Sequence, residues 1–222
     1  MCLINNGKQK RRDGCLQHTA TPNRNASYGD SIMANKPLPP PEVIRQLLRY
    51  EPDTGRLFWL PRPVEMLTAK HADPTWNAKH AGRPAFVTKH NAGYFVGTVM
   101  KRQILAHRVI WCLVAGCWPE CEIDHIDGDR ANNKWDNLRL ATRSQNMRNS
   151  KSHTNSSSRF RGVSWNTRRG HWVVYITIEG RSRHVGSYSD ETLAARAFDR
   201  VAQIHHGAFA RLNFPAMAGE LA

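Results

Sequence analysis

Apolar positions along this chain fall into short runs whose period switches between helical and alternating, which predicts a mixed α+β protein. After Pro41, which suits a first helical turn, Val43, Ile44, Leu47 and Leu48 form a stripe that predicts a helix reaching Tyr50. Glu51 to Gly55 reads as a turn and Arg56 to Trp59 as a strand. Residues 61–92 have no clear period, although Trp76 is expected in a core. Gly93 to Val99 and Gln103 to Ala106 predict a hairpin turning at Lys101-Arg102. His107 to Ala115 predicts a helix burying Val109, Ile110, Leu113 and Val114, ended by Gly116 and Pro119. Ile123 and Ile126 then flank a polar pair, and Asp136 to Leu140 alternates as a half-buried strand does. Thr142 or Ser144 is placed to cap a helix carrying Gln145, Asn146 and Arg148.

A second unit follows a polar, Ser-rich stretch, Lys151 to Ser158. Its strands are predicted at Arg159–Trp165, His171–Ile178 and Arg181–Tyr188. Ser189 is expected to cap a helix that has Asp190 and Glu191 in its first turn and ends at Gly207. Leu193, Ala194, Ala197, Phe198, Val201 and Ile204 are expected to face the sheet. Residues 1–36 are polar, lack periodicity and are read as a disordered basic tail. The expected organisation is therefore a tail (1–36), a first domain (37–151), a linker (152–158), a second domain (159–216) and a short tail (217–222).

Composition narrows the partner. The 222 residues carry a formal net charge of +14 and an isoelectric point near 10.1, which favours a polyanion. No apolar run approaches the ~18 residues of a membrane span, and the basic start has no apolar stretch behind it, so neither a membrane nor a secretory route is expected. The basic run Lys8 to Arg12 is read as solvated, with DNA contact as the alternative. The five cysteines, Cys2, Cys15, Cys112, Cys117 and Cys121, include no CxxC pair. They read as free thiols in a reducing cytoplasm, with metal binding by the last three and a histidine as the alternative.

The chemistry concentrates between Cys121 and Asn149, where Asp124-His125 and two asparagines give DH-x11-N-x8-N. Asp124 offers carboxylate oxygens and Asn146 an amide oxygen, hard ligands of the kind Mg²⁺ or Mn²⁺ takes. His125 has the proton affinity of a general base at neutral pH. Asn137 is assigned to holding the loop and the imidazole orientation. The expected reaction is metal-assisted phosphodiester hydrolysis, with two polar clusters facing one cavity. An Asx-rich turn alone explains Asp127 to Asn133 but not the later asparagines.

Residues 36–152 resemble the HNH endonucleases, in particular the phage and homing type, through His107-Arg108, Asp124-His125, Asp127-Gly128, Asn132-Asn133, Asn137-Leu138 and Asn146. The LLRYEPDTGRLFW opening is similar to the start of phage HNH proteins. The resemblance implies a ββα-metal hairpin and helix, a divalent metal on Asp124 and Asn146, His125 as base and Asn137 orienting it. It also places a His-Arg pair at His107-Arg108, where His107 either lines the cleft or is structural.

Three strands and a packed helix with Arg, Trp and His on the strands suit a sheet laid into a DNA major groove. Residues 159–215 resemble the APETALA/ethylene-response-factor DNA-binding domain through FRGVSW, Gly186-Ser187-Tyr188, AARAFDRVA and LNFP. That likeness implies DNA contact by Arg161, Trp165, Arg168, Arg169, Trp172 and Arg183. Ser164, Tyr175, Thr177 and His184 depart from the Arg, Glu, Arg and Trp usual in plant members, so the plant target does not transfer. Two function classes result. One is an endonuclease, nicking or cutting both strands, with double-stranded DNA as partner and a monomer rather than a homodimer favoured by the single motif. The other is a non-catalytic, sequence-specific DNA-binding regulator.

Overall fold

The structure, a computed structural model, describes residues 37–68, 73–149 and 156–215. The expected tails at 1–36 and 217–222, Cys2, Cys15, the Lys8–Arg12 run and most of the Ser-rich stretch lie outside these residues. Helices mix with small antiparallel sheets, around two separate hydrophobic cores.

Helix α1 (Pro41–Leu47) is shorter than expected, because the chain turns extended at Leu48. Strand β1 (Leu48–Glu51) pairs with β2 (Arg56–Trp59) around the EPDTG turn, and β3 (Pro84–Ala85) adds to the far side of β2. Leu48 satisfies the helical stripe and the strand equally well, since it is buried in both readings. The aperiodic region forms α2 (Val64–Thr68) and α3 (Trp76–His80), with Trp76 buried edge-on to Trp59 at 5.4 Å and capped by the Arg62 guanidinium. Strands β4 (Thr88–Lys89), β5 (Phe95–Val99) and β6 (Arg102–Leu105) form a second sheet. The β5–β6 hairpin turns through Met100 and Lys101, whose φ angles of 49° and 62° match the twist of a two-residue turn.

Helix α4 (Ala106–Ala115) packs on α1 and buries Val109, Ile110 and Cys112 completely. Val114, expected inside, is 44% exposed, and Leu113 is half-buried. Its one neighbouring face is already filled by α1 and the β5–β6 sheet. Burial in this apolar site pushes the Cys112 thiol up to about 11. Cys117 is exposed and Cys121 half-buried, and among the described residues no group of three or more His, Cys, Asp or Glu is placed to hold a metal.

Strand β7 (Glu122–His125) pairs with β8 (Leu138–Ala141), and a short 3-10 turn, Trp135–Asn137, occupies part of the expected second strand. Helix α5 (Arg143–Arg148) follows. Thr142 caps it in a reciprocal box, accepting from the Gln145 amide while Gln145 Oε1 accepts from the Thr142 amide.

In the second unit β9 (Val163–Asn166), β10 (His171–Ile178) and β11 (Arg181–Tyr188) form one antiparallel sheet against α6 (Glu191–His206). The first strand begins four residues later than expected, because Arg161 and Gly162 are tied to Asn213 and Tyr175 outside strand register. Asp190, not Ser189, caps α6, accepting from Leu193 N. Leu193 and Ile204 are 57% and 72% exposed, so the buried stripe is Ala194, Ala195, Phe198 and Ala202. Ser157 and Ser158 do not behave as loose linker. Ser158 donates to Glu191 Oε1 and accepts from Phe160 N, and Ser157 accepts from Trp165 N.

Candidate active site and nucleic-acid interface

The β7–β8 register decides what meets what. Ile123 and His125 lie opposite Leu140 and Leu138, while Asp124 lies opposite Arg139. Successive strand residues point to opposite faces, so Asp124 and His125 head two distinct polar clusters.

Asp124 is 4% exposed and Arg139 8%. Arg139 Nε and Nη2 both donate to Asp124 Oδ2, at 2.8 and 2.6 Å. Asn149, also buried, donates from Nδ2 to both Asp124 oxygens and to the His125 carbonyl, at 3.0, 3.2 and 2.7 Å. Asn146 lies one turn earlier on α5 and donates to Glu122 Oε2 at 2.8 Å. The side chain that reaches Asp124 is therefore that of Asn149, which caps the C-terminal end of α5, with Asn146 beside it on Glu122.

His125, 3% exposed, faces the first core. Its Nε2 lies 3.0 Å from Asn133 Oδ1, and its ring stands edge-on to His107 at 5.1 Å with Tyr94 at 5.8 Å. Burial pushes the His125 imidazole below its ordinary value, against the Asn133 bond and the nearby Asp127, Asp124 and Asp129 carboxylates. Burial, and then the His125 and Arg108 charges, push His107 well below its ordinary value. Both rings are consequently neutral at pH 7, the state in which an imidazole accepts a proton.

Asn137 holds the intervening loop. Its Oδ1 accepts from Asp127 N, and its Nδ2 donates to Asp127 Oδ1 and to the Asn132 carbonyl. It does not touch the imidazole; that contact belongs to Asn133, which the loop carries. Burial works to raise the Asp127 carboxyl, but hydrogen bonds from Asn132, Asp129 and Asn137 outweigh it and hold the group below its ordinary range.

In the second unit Trp172 packs with the helix-side core, and Trp165 lies against it at 4.9 Å, still 39% exposed. Both follow the parity of Val163 and Val174, so they stand on the helix side of the sheet and not on its open face. The open face presents Ser164, Tyr175, Thr177 and His184, the four positions that depart from the plant pattern. Arg168 and Arg169 are exposed in the β9–β10 turn, and Arg183 is exposed on β11 near the opposite end. Arg161 is half-buried at the seam between the units, where its Nη2 donates to the Met147 carbonyl. The same seam holds Arg139, which donates from Nη1 to the Ala208 carbonyl and lies 3.9 Å over the Phe209 ring. Arg211 completes it, donating to the Asn149 carbonyl.

The segment that carries the Asp124–His125 pair is similar to known proteins. Residues 105–148 match the HNH endonuclease family. Over 108 residues the chain is 35% identical to Protein 3.8 of Escherichia phage T7, a match covering 48% of this chain and 88% of that protein. The chain belongs to the HNH endonuclease family. HNH nucleases generally use divalent metal ions, and their substrate is DNA. No helix among the described residues is long and apolar enough to cross a membrane.

Proposed function

We propose that this protein is a metal-dependent DNA endonuclease in which His125 is the general base and residues 159–215 supply DNA affinity and address. The observation that carries the reading is the junction of β7, β8 and α5, where a buried carboxylate and a buried neutral imidazole are adjacent in sequence and Asn149 ties the Asp124 carboxylate to the His125 backbone carbonyl. A divalent cation would have to share Asp124 with Arg139, which holds Oδ2 and leaves Oδ1 to the neutral Asn149 amide. Asp124 would contribute carboxylate oxygen, and the Asn146 and Asn149 amides would contribute oxygen after a half-turn about the last side-chain bond, which exchanges Nδ2 for Oδ1. When bound, Mg²⁺ or Mn²⁺ supplies stabilisation of charge on the phosphate and the leaving oxygen. His125 takes the proton of the attacking water, and Asn137 keeps the loop from Asp127 to Asn132 in shape around it.

The test is supercoiled plasmid with the full chain and Mg²⁺, with and without EDTA. Nicked product that forms with Mg²⁺ and vanishes with EDTA is the expected result. No cutting with Mg²⁺ or Mn²⁺ would favour the non-catalytic DNA-binding regulator.

The address is read by the open face of the second sheet, with phosphates held at its ends. Tyr175, 47% exposed and 5.2 Å from the His184 ring, offers a base-facing surface; Arg168 and Arg169 stand at its β9–β10 end, and Arg183, paired with the buried Ile176, reaches out from the helix side of β11. Each phosphate contact contributes about 0.9 to the log–log salt slope of binding. Arg168→Ala with Arg169→Ala is therefore expected to lower the slope by about 1.8, measured by fluorescence anisotropy across a salt series. An unchanged slope would remove that turn from the interface. The enzyme is proposed to act as a monomer in the cytoplasm of a bacterial or phage-infected cell.

A further inference from the structure

The N-terminal hairpin, outside the matched segment 105–148, presses on the loop that carries Asn133. Tyr50 of β1 is the strut: its hydroxyl donates to the Asn133 carbonyl at 3.2 Å and accepts from the Trp135 amide at 2.8 Å. At the tip of the same hairpin, Gly55 has φ +71°, and a Cβ there would lie 2.8 Å from Lys134 N and 2.9 Å from the Asn133 carbonyl carbon. Only glycine satisfies both demands, and only glycine lets the tip sit directly on the Asn133–Lys134 backbone. Trp135 is held in addition by Trp111 of α4, ring centroids 4.8 Å apart. Three elements thus fix one buried residue, Asn133, which is 3% exposed.

What Asn133 does with that rigidity follows from its chemistry. An amide oxygen only accepts, so the ring nitrogen facing it, His125 Nε2 at 3.0 Å, must carry the hydrogen. A neutral imidazole has one N–H. Nδ1 is then left with its lone pair free. We infer that Asn133 is a positioning residue that holds His125 in the Nε2–H tautomer, leaving Nδ1 as the basic nitrogen, and that Tyr50 and Gly55 of the N-terminal hairpin hold Asn133 in place for that purpose.

The inference rests on His125 being the base, and the test separates the two. Long-range ¹H–¹⁵N correlation spectra of the full chain report the tautomer of each histidine, and the His125→Ala spectrum assigns the signal. Nicking of supercoiled plasmid with Mg²⁺ and DNA affinity are measured beside it. The parent is expected in the Nε2–H form. Asn133→Leu, similar in size but without an acceptor, is expected to give mixed tautomers and nicking slower by about 10- to 100-fold, the range seen when a group orienting a catalytic histidine is lost, with DNA affinity unchanged. Asn133→Asp keeps an acceptor in place and is expected to retain the Nε2–H form and most of the rate, which also covers the case in which the leucine variant fails to fold. Tyr50→Phe is expected to fall between. An Nε2–H signal and a parent-like rate in Asn133→Leu, or an Asn133→Asp protein as slow as the leucine variant, would overturn the positioning role while leaving the endonuclease reading intact. Absence of metal-dependent nicking in the parent would overturn the endonuclease reading, and the positioning role with it.

Discussion

His125→Ala is expected to slow metal-dependent nicking of supercoiled DNA by about 10²- to 10⁴-fold, the usual contribution of a general base, with little change in DNA affinity. The imidazole is 3% exposed and faces the first core, so it contributes little to a DNA-contact surface. The arginines proposed to hold phosphate, Arg168, Arg169 and Arg183, lie in the second unit, away from this ring. Binding and cleavage should therefore separate cleanly: anisotropy reports binding, and gel conversion of supercoiled to nicked plasmid reports cleavage. The His107 ring, edge-on at 5.1 Å, is the control. It is neutral and buried, and its ring packs on Tyr94 and His125. His107→Ala is expected to lower stability through the cavity it leaves, with a smaller effect on cleavage in the fraction that remains folded. A His125→Ala protein that nicks at the parent rate would show that another group takes the proton.

Much of this site is legible in one dimension because its parts are local. The capping box around Thr142 needs only a Thr and a Gln three apart, and the Asp127–Gly128 turn needs only its own side chains. The α5 ligand is less legible. Asn146 and Asn149 are three apart and share a helix face, so the choice between Glu122 and Asp124 depends on how α5 docks on β7, which no local pattern encodes. Arg139 is invisible for a related reason: it faces Asp124 only in the register that sets Asp124 opposite it, and that register is fixed by the bend at Trp135–Asn137. In sequence Asn133 reads as one more turn residue, since its partner Tyr50 is 83 residues away. In the second sheet the period of Trp165 and Trp172 is readable, but which face meets α6 is a tertiary fact. The bulge between Val174 and Tyr175 further breaks simple alternation.

Arg139→Ala is expected to destabilise the protein by about 3 kcal/mol, the lower end of the cost of leaving one member of a buried ion pair unmatched. Arg139 supplies both hydrogen bonds to Asp124 Oδ2 that come from a charged group, and only the neutral Asn149 amide would remain there. It also links the units through the Ala208 carbonyl and the Phe209 ring, so both sides of the seam lose a contact. For a chain of this size the loss corresponds to roughly 6–12 °C in Tm, read by circular dichroism or scanning calorimetry. The double variant, Arg139→Ala with Asp124→Asn, should recover part of the loss, because the stranded charge is gone. Mg²⁺ provides an independent check. A cation taken up by the freed Asp124 carboxylate stabilises the folded state by mass action. Added Mg²⁺ should thus raise the Tm of Arg139→Ala more than that of the double variant. A single variant as stable as the parent would mean that the Asp124–Arg139 pair adds nothing to the fold. An equal Mg²⁺ response in single and double variants would place the cation somewhere other than Asp124.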